Sequence, residues 1–508
     1  MVSEQKHLFD RHAALIAAIF FVVALLMRVP LRSQYAYHWD SADFTLAMHD
    51  WNVALGQPHP PGYFLYVMAG KLVSLFGVDA HSSLVWVSMV SGSALAAVMY
   101  LAGVAMFGQR AGTVAGLLAL TSPLTWLHSC VALSYTLDAL LVSVLVLWCW
   151  RASGSWLDAV GIGATLAVVG GVRQQSAIAL VPLVIFTAWK FERRVAKLIV
   201  MGASAVTCGL LWFVPMVEMS GGLSVYLEAV RQFSASVGHK TPIGGGGVDA
   251  VLWNLFFTAA FCWNGLLAAA LLLVAALVGR QFGMAREWDA TERDAIRLLT
   301  IWVVPMMFVG IFLAYTDGPG HVLSFLPALF LLSGAVASKL RIRRIAVSVA
   351  CAVNVGVFFA WPTAWGGALL HVGHRASEIH DHDQLLAETV QLIRARFDPK
   401  GTMLFHAREF YHYGLRHFQL YLPEFDQYQA APDRALISPP DKPMLAVHDG
   451  RLSFVNPKDL PRDRAIVVLV PAGESIRLFA TLMDVSNAVP LNGPPATVFL
   501  LPKEAGRW

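Results

Sequence analysis

Charge is scarce in this 508-residue chain: 14% of its residues are Asp, Glu, Lys or Arg, against about 25% in an ordinary soluble domain. The chain is 57% hydrophobic, with a mean hydropathy of +0.59. The deficit therefore lies in long uncharged runs, which exclude a water-soluble globule and point to an integral membrane protein. The net charge of +4 comes with no basic patch and no nucleic-acid motif, so nucleic acid is set aside as a partner. Cysteine is sparse and unpatterned. Cys130, Cys149, Cys208, Cys262 and Cys351 sit in or beside apolar runs without CxxC or metal-ligand spacing, and read as small hydrophobes in helices. No small-residue cleavage site follows the apolar segment 13–29. Arg28-Val29-Pro30-Leu31-Arg32 follows instead, so the segment reads as an uncleaved first span. Internal repeats and low-complexity tracts are also lacking.

What is present is a series of eleven apolar runs of spanning length, at 13–31, 82–107, 111–132, 134–150, 156–172, 174–189, 198–217, 251–279, 298–316, 321–338 and 345–362. A further segment, 62–77, is only about 24 Å long as a helix and carries Lys71. Charge decides its placement. If 62–77 lies along the membrane surface, one set of loops collects Lys6, Arg11, Arg110, Arg151, the run Lys190–Lys197, Arg280 to Arg297 and the run Lys339–Arg344. The other set holds only Arg32, Lys71, Arg173, Arg231 and Lys240. That asymmetry places the basic loops in the cytoplasm. The first loop (32–81) and the C-terminus then lie outside. The expected fold is a polytopic α-helical membrane protein of about eleven transmembrane helices (1–365), followed by a small extracytoplasmic α/β domain (366–508). In that domain a helix is expected at 382–396, with strands at 402–406, 444–447, 465–470 and 496–501. The alanine-rich, short-looped style points to a bacterial inner membrane. Gly244–Gly247 forms a four-glycine turn expected to be mobile.

The chemistry concentrates in Tyr37–Lys71. Asp40 and Asp43 are three apart, and a helix capped by Ser41 and running to Leu55 is expected to aim both into one cavity at the membrane surface. There a carboxylate can take a proton from an acceptor hydroxyl, and a second can orient the acceptor or hold a divalent ion. Helix-start acids in an exposed loop are the alternative. In the turn Gln57-Pro58-His59-Pro60-Pro61-Gly62, His59 can serve the cavity or the turn itself. The histidines at 371, 374, 380 and 382, with Asp381 and Asp383, fit no recognised zinc spacing and read as solvated surface. His406, His412 and His417, with Arg408 and Arg416, are placed to overhang the cavity and read the acceptor.

The string WDSADF followed by HPPGYFLY resembles a membrane family in which a WDSGEF-like motif precedes HPPGxPLY, grouped with protein O-mannosyltransferase-like proteins. More broadly the arrangement is similar to the GT-C glycosyltransferases, including the lipid A aminoarabinose transferases. Asp43 departs from the family pattern, which often has Glu there. The resemblance implies a polyprenyl-phosphate sugar donor held among the spans and a protein, glycan or lipid acceptor at the outer face. It implies an inverting displacement, with Asp40 or Asp43 as base. It also implies Asp138 facing the same cavity, Arg173 on the donor phosphate, and His321 beside it. Two rivals are a flippase for a lipid-linked sugar and a non-catalytic assembly protein with an outer binding domain.

Overall fold

The computed structural model describes residues 11–270, 273, 287–316, 318–340, 343–360, 375–406, 412–429, 440–461, 463–471, 474–479, 483–493 and 496–501. The expected domain boundary at 365/366, the residues His371, His374 and Arg408, and the far end of the run 251–279 lie outside these.

Each apolar run is built around a helix. α1 (Arg11–Arg28) continues as a 3-10 turn to Leu31, and α4 (Ala80–Phe107) and α10 (Arg194–Met219) are long single helices. α12 (Gly247–Leu266) and α13 (Ala290–Phe308) are extended to spanning length by π-helical turns at 242–246 and 309–313. These five are long and apolar enough to cross a membrane. α8 (Trp156–Val172), α9 (Gln174–Trp189), α14 (Leu326–Lys339) and α15 (Arg343–Ala360) are shorter apolar helices. The run 111–132 departs from one continuous span. α5 (Gln109–Thr121) stops at Ser122, and Pro123 starts α6 (Pro123–Cys130), which meets α7 (Tyr135–Arg151) at 119°. The cause is local: Pro123 has no N–H and bars helical geometry at Ser122, whose hydroxyl instead donates to the carbonyl of Gly265 at 2.8 Å.

α3 (Phe64–Ser74) has 11 residues, about 16 Å of helix, too short to cross. It buries Phe64, Tyr66, Val67 and Gly70 while Leu72, Leu75 and Phe76 at its end stay exposed.

Helices approach closely through glycine. A Cβ at Gly112 would lie 2.5 Å from the carbonyl oxygen of Tyr100 and 2.7 Å from the amide nitrogen of Val104. One at Gly334 would lie 2.5 Å from the carbonyl of Ala111, so α5 is gripped between α4 and α14 by backbone contact. Gly112→Val is therefore expected to cost about 1–3 kcal/mol or more, read as a lower unfolding temperature in detergent. Gly202→Ala, where a Cβ meets nothing within 4 Å, is the neutral control. Equal effects of the two would remove the close-packing account.

Among its described residues the C-terminal domain has a seven-stranded mixed sheet in the order β4-β3-β2-β1-β5-β7-β6. Its strands are β1 (Thr402–His406), β2 (Asp426–Gln429), β3 (Met444–His448), β4 (Arg451–Val455), β5 (Ala465–Leu469), β6 (Val489–Pro490) and β7 (Val498–Leu501). β1 runs parallel to β2 and β5, and the other pairs are antiparallel. Alternate residues go to opposite faces: Leu404 packs with Leu386, Val390 and Ile393 of α16 (Ala376–Arg396), while Met403 and Phe405 join Val468 and Phe479. Leu445, Val447 and Leu452 of β3 and β4 pack on Trp39 at the membrane-domain loop, together with Leu415 of α17 (Leu415–Tyr421). The sheet thus sits on the acid-bearing loop.

Candidate active site

In the loop between α1 and α4, residues 34–37 take hydrogen-bond partners from the C-terminal domain. The amides of Gln34 and Tyr35 donate to the two oxygens of Asp383 at 2.7 and 3.0 Å. The amide of Ala36 donates to the Tyr421 hydroxyl at 2.7 Å, and His412 Nδ1 donates to the carbonyl of Tyr37 at 2.7 Å. His382 in turn donates from Nε2 to the carbonyl of His412 at 2.6 Å. His382 and Asp383 are therefore buried pins and not the solvated surface that their spacing suggests.

Burial pushes the His382 and His406 imidazoles down from 6.5 to about 3. His38 and His417 are held well below 6.5 by burial and by neighbouring histidines. A base with a depressed folded pKa contributes stability that is complete above pH 6.5 and is lost as pH falls toward 3, at about 1.4 kcal/mol per pH unit for each group. Asp383, pushed up to about 6 by burial, works in the opposite sense between 3.8 and 6. The histidines outnumber it. The unfolding temperature is thus expected to fall between pH 6.5 and about pH 5, and less so in His382→Gln. A flat profile over that interval would contradict neutral buried imidazoles at this interface.

His38, extended at φ −128°, starts α2 (Trp39–His49), and its Nδ1 accepts from the Asp40 amide at 3.1 Å. The helix begins earlier than a Ser41 cap implies and ends at His49, before the 3-10 turn 53–55 capped by Asn52. Asp40, in the first turn, has one carboxylate oxygen 3.5 Å from His59 Nδ1 and the other 3.8 Å from His38 Nδ1. The His59 ring stacks on Trp39 at 5.2 Å, and its Nε2 lies 3.3 Å from the Tyr63 hydroxyl. With the proton on Nδ1, Tyr63 donates to His59 and His59 faces the Asp40 carboxylate. The turn that carries His59 contains cis bonds before Pro58 and Pro61. It is pinned at the Pro61 carbonyl, which accepts from Gln174 Nε2 at 3.3 Å and from the Tyr226 hydroxyl at 3.2 Å.

A cavity of about 530 Å³ opens between this loop, the membrane helices and the C-terminal domain. Asp40 and His59 line it, with Arg173, His321, Lys240, His128 and His412. Among the described lining residues Asp40 is the one carboxylate. Arg173, 4% exposed, joins α8 to α9. Its guanidinium stacks on Tyr135 at 4.4 Å and on Tyr63 at 5.5 Å, and Nη1 donates to Ser134 Oγ at 3.4 Å. With its amide oxygen turned inward, Gln175 accepts from Arg173 at 2.8 and 3.2 Å. Tyr135 also meets His321 at 5.8 Å and His128 at 5.3 Å. This tyrosine, at the start of α7, organises the cationic wall without any motif to announce it.

Two expected site residues lie off the cavity wall. Asp138 is buried and accepts from Ser176 Oγ at 2.8 Å, behind Arg173, whose charge it balances in part. Asp43 is fully buried and ion-paired to Arg416 Nε at 3.3 Å. Donor atoms of Asp40, Asp43 and His59 lie within 4.8 Å of one another, a spacing that can hold a metal ion. The guanidinium on Asp43 fits that role poorly, because a three-ligand site would have to displace it.

No protein-family model matches the sequence, and no curated protein sequence does. Solved structures match through their fold. ArnT from Cupriavidus metallidurans bound to undecaprenyl phosphate aligns over 97% of this chain and 98% of its own, at 14% identity and a TM-score of 0.59. The same protein in the apo state aligns over 96% and 98%, at 14% identity and a TM-score of 0.55. The chain therefore shares the fold of ArnT over nearly its whole length.

Proposed function

We propose that the protein is a glycosyltransferase that moves a sugar from a polyprenyl-phosphate donor to a protein, glycan or lipid acceptor. The site would face outward from the membrane, in bacteria toward the periplasm. The single observation that carries this reading is one cavity lined both by an acid with its histidine (Asp40, His59) and by basic side chains (Arg173, Lys240) with His321 beside them. The undecaprenyl phosphate bound to ArnT of the same fold supports the donor class. Arg173, fixed on Tyr135, holds the donor phosphate and stabilises it as it leaves. Asp40 takes the proton of the acceptor hydroxyl while the acceptor oxygen bonds to the anomeric carbon. The bond from that carbon to the phosphate oxygen breaks with its electron pair on the phosphate. One displacement inverts the configuration. Asp40 is the base in preference to Asp43, which faces Arg416 and not the cavity.

The test is purified full-length protein in detergent with undecaprenyl-phosphate-linked sugars and membrane extract as acceptor. Transfer of a sugar to extract components is expected. Lipid movement across vesicles with no sugar transferred would replace this reading with the flippase.

A further inference from the structure

Arg416 belongs to the C-terminal domain, yet most of its contacts are to the loop that carries the acids. The side chain is 3% exposed, and its Nε meets Asp43 at 3.3 Å. Nη2 donates to the carbonyl of Leu55, and Nη1 donates to Gln57 Oε1 at 3.5 Å and to Gln419 Oε1 at 3.1 Å. Gln419 closes the network by donating to Gln57 Oε1 at 3.1 Å and to the carbonyl of Gly450 at 3.0 Å. Gly56 makes room for it: a Cβ there would lie 2.9 Å from Nη2, and its φ of +70° suits glycine besides.

These contacts span the catalytic loop. Asp43 lies one helical turn after Asp40, and Gln57 lies two residues before His59. One planar fork therefore fixes the helix that carries the acid against the turn that carries its histidine, which stand 3.5 Å apart. A fully buried carboxylate needs a counter-charge. A divalent ion among Asp40, Asp43 and His59 would meet that need, but the guanidinium already does so and brings two further loop contacts, to Leu55 and Gln57.

We infer that Arg416 is the built-in cation of the acid pair and the positioning residue that sets Asp40 against His59, so that the site works without a divalent ion. This rests on the proposed transferase reading for its catalytic meaning, but the clamp is measurable without turnover. The experiment uses full-length protein in detergent, with unfolding temperature read with EDTA and with Mn²⁺, and with undecaprenyl phosphate binding read separately. Wild type is expected to be insensitive to EDTA and to Mn²⁺. Arg416→Met is expected to unfold several degrees lower and to be restabilised by Mn²⁺, because Asp43 becomes available beside Asp40 and His59. Asp43→Asn/Arg416→Met is expected to recover part of the stability and to lose the Mn²⁺ response. Arg416→Lys keeps the charge without the fork, so it should resist Mn²⁺ yet not regain full stability. If Arg416→Met does not fold, Asp43→Asn alone decides: stranding Arg416 should lower the unfolding temperature, and an unchanged value overturns the clamp. An equal Mn²⁺ response in wild type and Arg416→Met also overturns it. Failure of wild type to bind undecaprenyl phosphate would count against the transferase reading and leave the clamp result standing.

Discussion

Asp40→Asn is expected to give a folded protein that binds undecaprenyl phosphate but transfers sugar about 10²- to 10⁴-fold more slowly, the usual contribution of a positioned general base. The amide keeps the shape of the carboxylate, and the cap on the Asp40 amide comes from His38 and does not involve the substituted group. The loss should therefore fall on kcat with little change in donor binding. His59→Gln should mimic it weakly, since His59 touches the acid from the second position on the wall. Asp43→Asn makes the contrast, because stability should fall with the Arg416 pair. Wild-type transfer by Asp40→Asn, measured under single turnover, would remove Asp40 as the base.

Arg173→Met is expected to weaken undecaprenyl phosphate binding about 10- to 100-fold, the worth of charge-assisted hydrogen bonds of roughly 1.5–3 kcal/mol. Arg173→Lys should recover only part, because an ammonium keeps the charge but loses the flat stack on Tyr135 and Tyr63. Tyr135→Leu should resemble Arg173→Lys, since it leaves the charge and removes the surface that orients it. Binding is best read by competition with a fluorescent polyprenyl phosphate at two salt concentrations. Unaltered binding by Arg173→Met at both would place the phosphate elsewhere.

Local patterns in the sequence carried far toward the fold. The apolar runs locate the helices, and the strands expected at 402–406 and 444–447 form, the second running on to His448. β2 reads Asp426-Gln427-Tyr428-Gln429 and has no such signal; it is a strand because β1 and β3 flank it. The division of 111–132 lay in Ser122-Pro123, a boundary that the apolar content of both sides conceals. At the site, Asp40, His59, Arg173 and His321, singled out by motif and by resemblance, all line one cavity. What was illegible is the packing of the C-terminal domain on the acid-bearing loop. Nothing near Asp43 reveals that its cation comes from α17, and nothing near His382 and Asp383 reveals that Asp383 pins residues 34 and 35 while His382 holds His412. Charged residues in a polar segment look solvated until the partner surface is known.

The dependence of residues 34–38 on the C-terminal domain also sets an order of manufacture. A ribosome makes the acid-bearing loop early and the residues that bond its backbone, Asp383, His412 and Tyr421, only near the end. Until then residues 34–37 lack these partners and Asp43 lacks its guanidinium. The site therefore matures last, after every helix has been inserted. A chain interrupted between α15 and α16 would leave residues 34–37 without these partners and Asp43 without its guanidinium.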